Sequence, residues 1–331
     1  MSKTLGSIVI FLLNLHSVNF ITAQKPSNLK VIFDSDMGPD YDDVGAIAIL
    51  HALAAKGECE IIATIASDGY PFVAPTLEVF NRYFNRPNIP IGVPDTSAPS
   101  FSCPNHWNDS LAFKYLPHFK TNKDYPSAVA VYRKVLSAQK DQSVVIISVG
   151  FLSNLSALLK SLPDSYSPLN GTDLIAKKVK RWVAMAGAFP EGSEFNINQH
   201  SVASKYAIEH WPTPILFSGV EIGSKIMTGH KIATHGNKNS PVQWAYQYCL
   251  SNYENRVSIN RNSWDLTAVL CAVRNPSTYF HVINSGTFIC NSDGSNSWDP
   301  DKNSHHSYLV HKYPYAKIAD ELNELMMYEP R

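Results

Sequence analysis

The stretch "LKVIFDSDMGPDYDDVGAIAILHALAAKG" constrains the fold more than any other part of the chain. A short apolar run, Leu29 to Phe33, ends at a carboxylate and reads as a buried strand. From Asp42 onward the apolar residues recur with a helical period and stop at Gly57, which predicts a helix. Between strand and helix lie Asp34, Asp36, Asp40, Asp42 and Asp43, five aspartates within ten positions. Further strands are predicted at "CEIIATIASD", "IPIGVP", "SVVIISVG", "KRWVAMAG" and "TPILFSG". Helical patterns separate them at "PFVAPTLEVFNRYFN", "SAVAVYRKVLSAQ", "FLSNLSALLKSL" and "SVASKYAIEHW". Strands alternating with helices imply right-handed crossovers and a mainly parallel sheet.

The last third changes character. "PVQWAYQYCLSN" and "SWDLTAVLCAVRN" read as helices. "YFHVINSGTFICN" and "HHSYLVHKY" read as antiparallel strands separated by a Gly/Ser/Asn/Asp-rich turn, and "AKIADELNELMM" as a closing helix. The fold class predicted is therefore α/β: a single domain with a mostly parallel open sheet flanked by helices and a helical and β-hairpin C-terminal part. From about Asp95 to Tyr125 the chain is rich in aromatic and polar residues and reads as irregular. It exceeds ordinary connection lengths, which suggests a lid or binding loop.

Composition narrows the function. Of 331 residues, 44% are hydrophobic and 17% charged, which is globular. Lys+Arg and Asp+Glu both number 28, so no overall field recruits nucleic acid or an anionic membrane. Residues 1–24 carry Lys3, an apolar stretch and Ile21-Thr22-Ala23, the layout of a cleavable secretory signal. A membrane anchor is the rival reading, opposed by Asn14, His16 and Ser17 within the apolar stretch. The expectation is a secreted or periplasmic domain spanning residues 25–331, without stable membrane association once the signal is cleaved. The five cysteines show no metal-like spacing, and Cys249 and Cys271 fall in apolar helical patterns that suit a core. Sequons occur at Asn108, Asn154 and Asn170.

Ligands of open parallel sheets bind beyond the carboxyl ends of the strands, where Asp34 and Asp36 stand. Helix capping accounts for Asp42 or Asp43 alone. It does not account for five carboxylates, whose mutual repulsion would neutralise some of them. A hard divalent cation with oxygen ligands, Ca²⁺ or Mg²⁺, resolves the conflict. Three other strand ends offer polar groups: the Val149 carbonyl in "SVGFLSN", Glu194 and Asn196 in "EFNIN", and Trp264 with Asp265 in "NSWDLTAV".

The set "DSDMGPDYDD", "SVGFLSNL", "MAGAFPEGSEFN" and "SWDLTAVL", in this order, resembles the nucleoside hydrolases. These are calcium-dependent N-ribohydrolases related to the inosine–uridine-preferring enzymes, and the resemblance spans roughly residues 29 to 328. It implies hydrolysis of nucleosides to free base and ribose with Ca²⁺ as cofactor. It implies that Asp36 binds the metal and acts as general base on the bound water, with Asp43, Asp265 and the Val149 carbonyl as further ligands. Asp42, Glu194 and Asn196 would grip the ribose hydroxyls, and Asp34 would support the metal loop from behind. The partner implied is a small-molecule nucleoside; homo-oligomers are common among such enzymes.

The pattern also departs from the family. The acidic run is two residues longer than the shortest family form, which makes Asp40 an additional carboxylate, assigned here to the loop rather than to the metal. Asp68 stands where many members place a sugar-binding asparagine, and a further asparagine before "EFN" is missing. Trp264 replaces the histidine that many members hold beside the last metal aspartate. An indole N–H is no general acid, so Trp264 is read either as stacking on the base or as packing at a helix start, and the acid as His106, His200 or solvent. Two other functions stay open: a non-catalytic metal and sugar binder of the same fold, and a phosphatase of the Asp-X-Asp class.

Overall fold

The structure, a computed structural model, describes residues 29–252 and 259–330. Among these residues the strands are β1 (Lys30–Ser35), β2 (Glu60–Ala66), β3 (Ile91–Gly92), β4 (Val144–Ser148), β5 (Val179–Met185), β6 (Glu191–Ser193) and β7 (Ile215–Ser218). They continue with β8 (Met227–Thr228), β9 (Arg261–Asn262), β10 (Phe280–Ile283), β11 (Thr287–Cys290), β12 (Ser295–Asp299) and β13 (His306–His311). Eight of them form one sheet in the order β10-β13-β7-β5-β4-β1-β2-β3. Every pairing in it is parallel except β10 with β13.

The central strands are apolar throughout because both faces of the sheet are covered. Val31 and Phe33 of β1 enter the core on one side, and Ile32 enters the core on the other. The helix Asp42–Ala55 is buried from Asp42 to Leu53, which explains why apolar residues surround it rather than forming a stripe. It packs against the helix Trp264–Val273, so the two aspartate-bearing helix starts are neighbours. From β1 the chain order runs one way through β2 and β3 and the other way through β4, β5 and β7. The topological switch point therefore lies between β1 and β4, and a crevice opens beyond their carboxyl ends.

Several elements depart from the sequence reading. The stretch from Asp95 to Tyr125 is not wholly irregular: it contains the helix Trp107–Tyr115. Trp107 is fully buried and its indole N–H donates to the Pro39 carbonyl, so this segment folds onto the aspartate loop. The polar turn after Cys290 contains β12, which pairs with β11 and β6 in a small antiparallel sheet. β6 ends at Ser193, so this small sheet fixes the start of the "EFN" segment. A short helix, Gly171–Lys178, capped by Asn170, was hidden by its polar composition. The segment read as a secretory signal, residues 1–24, lies outside the described residues. Among the described residues no helix is long and apolar enough to cross a membrane, and all five cysteines are buried and free.

Candidate active site

The site grows from the end of β1. Ser35, its last residue, donates through Oγ to Asp43 Oδ1 at 2.5 Å. The Met37 N–H donates to the same carboxyl oxygen at 3.1 Å and to Ser35 Oγ at 3.0 Å. These bonds curl the loop back over the first turn of the next helix, whose positive end favours Asp42 and Asp43. Asp43 Oδ2 is buried and has no hydrogen-bond partner among the described residues. Across the switch point, Gly150 follows Val149. A Cβ there would stand 2.3 Å from both the Asp36 backbone N and Ser67 Oγ, so only glycine lets β4 approach the aspartate loop.

A cavity of about 290 Å³ opens at this point, near the lower end of the range for small-ligand pockets. Its lining includes Asp36, Asp40, Asp42, Val149, Glu194, Asn196, Trp264 and Asp265. Residues from four separate strand ends and helix starts thus meet in one place. Asp42 Oδ2 accepts the Asp265 N–H at 3.0 Å, joining the first and last of these segments. Glu194 caps the short helix Phe195–Asn198 by accepting from the Asn196 and Ile197 N–H groups, and it also accepts from the Gly187 N–H. The Asn196 amide donates to the Val149 carbonyl at 3.3 Å and to the Met185 carbonyl at 3.1 Å.

Burial sets the electrostatics. It pushes Asp36 well above the usual carboxylate range, and the charges of Asp43, Asp40 and Asp68 push in the same direction. Asp42 and Asp265 are raised well above that range, again first by burial and then by neighbouring aspartates. Asp43 is raised to about 7 by burial and Asp40, against donors from Ser35 and Met37. Glu194 is also raised to about 7 by burial, against three backbone donors. Asp36, Asp42, Asp43, Asp265 and Glu194 thus resist ionisation, and a further positive charge among them would oppose that shift.

Behind this lining stands Asp34, fully buried, accepting from the Tyr132 hydroxyl at 2.7 Å and from the Asn154 amide at 3.2 and 3.3 Å. Asp68 does not line the cavity. Its carboxylate accepts the Tyr70 N–H at 2.6 Å and the Phe101 N–H, which tethers the loop beyond β3. Trp264 lines the cavity, and its indole N–H is already donated to the Val220 carbonyl and Ser224 Oγ. His106 and His200 are outside the lining; they pair with Asp109 and Ser153. Asp40, assigned to the loop from sequence, stands with Asp42 and Asp43, their ligand atoms all within 4.8 Å of one another. Sequence reasoning missed Arg261, which pairs with Asp40, and Tyr132 and Asn154, which hold Asp34; none carries a local signal that names its distant partner.

The sequence profile of the inosine-uridine preferring nucleoside hydrolases matches residues 31–323. The chain belongs to that family. Solved nucleoside hydrolases share its fold. An inosine-guanosine nucleoside hydrolase superposes with a TM-score of 0.68 at 19% identity, covering 90% of this chain and 99% of its own. The inosine-uridine preferring enzyme from Bacillus anthracis gives 0.67 at 14% identity, with the same two coverages. A plant nucleoside hydrolase gives 0.66 at 17% identity, covering 92% of this chain and 99% of its own. No curated protein matches the sequence. Nucleoside hydrolases cleave the glycosidic bond of nucleosides and are generally metal-dependent. The donor set here suits a hard cation: buried carboxylates, a backbone carbonyl, and an Asp43 oxygen with no other partner.

Proposed function

We propose that this nucleoside hydrolase releases free base and ribose from ribonucleosides, using Ca²⁺ held by Asp36, Asp43, Asp265 and the Val149 carbonyl. The observation that carries the reading is the convergence of Asp36, Asp265 and Val149 with Asp42, Glu194 and Asn196 on one cavity at the switch point, with Asp43 held beside Asp42 in the aspartate loop. When bound, a hard divalent cation supplies the positive charge that the acids lack and polarises a water molecule. Asp36 takes that water's proton as its oxygen adds to C1′. Asp42, Glu194 and Asn196 accept and donate to the ribose hydroxyls and hold C1′ against the water, an orienting effect that reaches about 7 kcal/mol in favourable systems. The bond to the base breaks with its electron pair going to the base, and the carboxylates around the ring stabilise the cationic sugar that develops.

The leaving base takes its proton from solvent at the cavity mouth, because the described lining contains no histidine and the Trp264 N–H is committed elsewhere. That same observation favours a second reading, a relative that binds nucleoside without cleaving it. Base and reducing-sugar release from a nucleoside panel, with and without Ca²⁺, decides between them. Release that survives chelation unchanged would refute the cation's role, and calorimetric binding without any release would establish the binder. We further propose export as a secreted or periplasmic enzyme after removal of residues 1–24; a mature N-terminus at Met1 would overturn this.

A further inference from the structure

Two demands meet on Asp40. Its carboxyl lies close enough to those of Asp42 and Asp43 to share a cation with them. Its Oδ2 also forms an ion pair with the Arg261 guanidinium at 2.5 Å, joining the aspartate loop to β9, 221 positions away in the chain. Arg261 is poorly exposed, and its guanidinium carbon lies 5.3 Å from the Tyr41 ring centre and 5.0 Å from that of Trp264. Two aromatic faces thus fix the fork in which the carboxylate sits. A guanidinium is charged at every accessible pH and binds a carboxylate more specifically than an ammonium does.

We propose that Arg261 withholds Asp40 from the cation site and thereby sets the site's affinity. The inference rests on the cation reading above. Asp43, with a buried oxygen that has no hydrogen-bond partner among the described residues, remains available to the ion, whereas Asp40 is already neutralised. The loop's additional carboxylate therefore adds little net charge to the site, and the cation is left with the ligands of a shorter loop. Affinity is held down, in the direction of extracellular calcium modules rather than of cytosolic buffers.

Calcium titration calorimetry on four proteins tests this: wild type, Asp40→Asn, Arg261→Met and the double variant. Arg261→Met should bind roughly tenfold tighter, because a nearby positive charge is gone and Asp40 is released. Asp40→Asn should bind roughly tenfold more weakly, because a nearby negative charge is gone. The double variant removes both charges and should return to within about threefold of wild type. A double variant as weak as Asp40→Asn would show that Asp40 is already a ligand, and Arg261→Met no tighter than wild type would show that Arg261 withholds nothing; either overturns the proposal. Arg261→Gln, which can still donate to Asp40, repeats the charge removal should the methionine variant melt early. Wild type that binds no calcium overturns the cation reading itself, an outcome distinct from binding without the predicted reversal.

Discussion

Asp34 offers the sharpest test of the site's electrostatics. Its carboxyl is fully buried, and burial raises its pKa from 3.8 to about 7 despite donors from Tyr132 and Asn154. In the unfolded chain it titrates near the ordinary value. Between about pH 4 and pH 7 the unfolded state has lost this proton while the calcium-free native state keeps it. The unfolded state then binds fewer protons, so stability falls as pH rises, by about 1.4 kcal/mol per pH unit from this group alone. Above pH 7 the loss levels off at about 4 kcal/mol, a ceiling for one fully buried group. Asp34→Asn keeps the shape and removes the titration. Its amide oxygen can accept from Asn154, and its N–H can donate to the Tyr132 hydroxyl, which also accepts.

In chelator-treated protein, the stability difference between wild type and Asp34→Asn should therefore be smallest below about pH 4 and should grow in the variant's favour as pH rises to 7. At pH 8 the variant should be the more stable, with a urea midpoint higher by on the order of 1 M. Saturating calcium should shrink the difference, because a nearby cation favours the charged form. Parallel stability–pH curves for the two proteins would refute the reasoning. They would mean that Tyr132 and Asn154 ionise Asp34 at no net cost, and that the buried carboxylate was never the destabilising element.

Three further outcomes follow from the same geometry. Asp36→Asn should lower kcat/KM on any accepted nucleoside by about 10²–10⁴-fold, with an unchanged far-ultraviolet spectrum. Trp264→Ala should lower turnover if the ring stacks on the base; inosine and uridine hydrolysed at wild-type rates would remove that role and leave its bonds to Val220 and Ser224 as the whole of its function. Gly150→Ala places a methyl group 2.3 Å from the Asp36 backbone and Ser67, so calcium affinity should fall and stability drop by about 1–3 kcal/mol, read by titration and melting.

What the sequence made legible is what local pattern encodes. β1, β2, β4, β5 and β7 could be read because strands buried on both faces are continuous apolar runs bounded by turns. Asp36 and Val149 were traceable because parallel sheets collect ligands at strand ends, whereas Asp42, Glu194, Asn196, Trp264 and Asp265 were traceable through the motifs that carry the family resemblance. The helix Trp107–Tyr115 was not legible. Its reason for folding is a tertiary contact, Trp107 against Pro39, rather than its own periodicity. β12 was hidden for a similar reason: a polar, glycine-flanked segment becomes a strand only when β6 and β11 are there to pair with it.

Asp40 and Asp68 mark the limit more exactly than any helix boundary does, because their residue type was read correctly while their partners could not be. Asp68 stands at the end of β2, where a sugar-binding side chain is expected, yet two backbone N–H groups from Tyr70 and Phe101 occupy its carboxylate. Asp40 stands in a loop lengthened by two residues, where an added acid looks incidental, yet its carboxyl joins Asp42 and Asp43 and meets Arg261. In each case the carboxylate's function depends on which positive or donating group reaches it first. That competition is settled in three dimensions, in part by residues 33 and 221 positions away, and a count of acidic residues in one segment carries no record of it. A cluster of aspartates therefore announces a cation, but the number of them that bind it is a property of the surrounding fold.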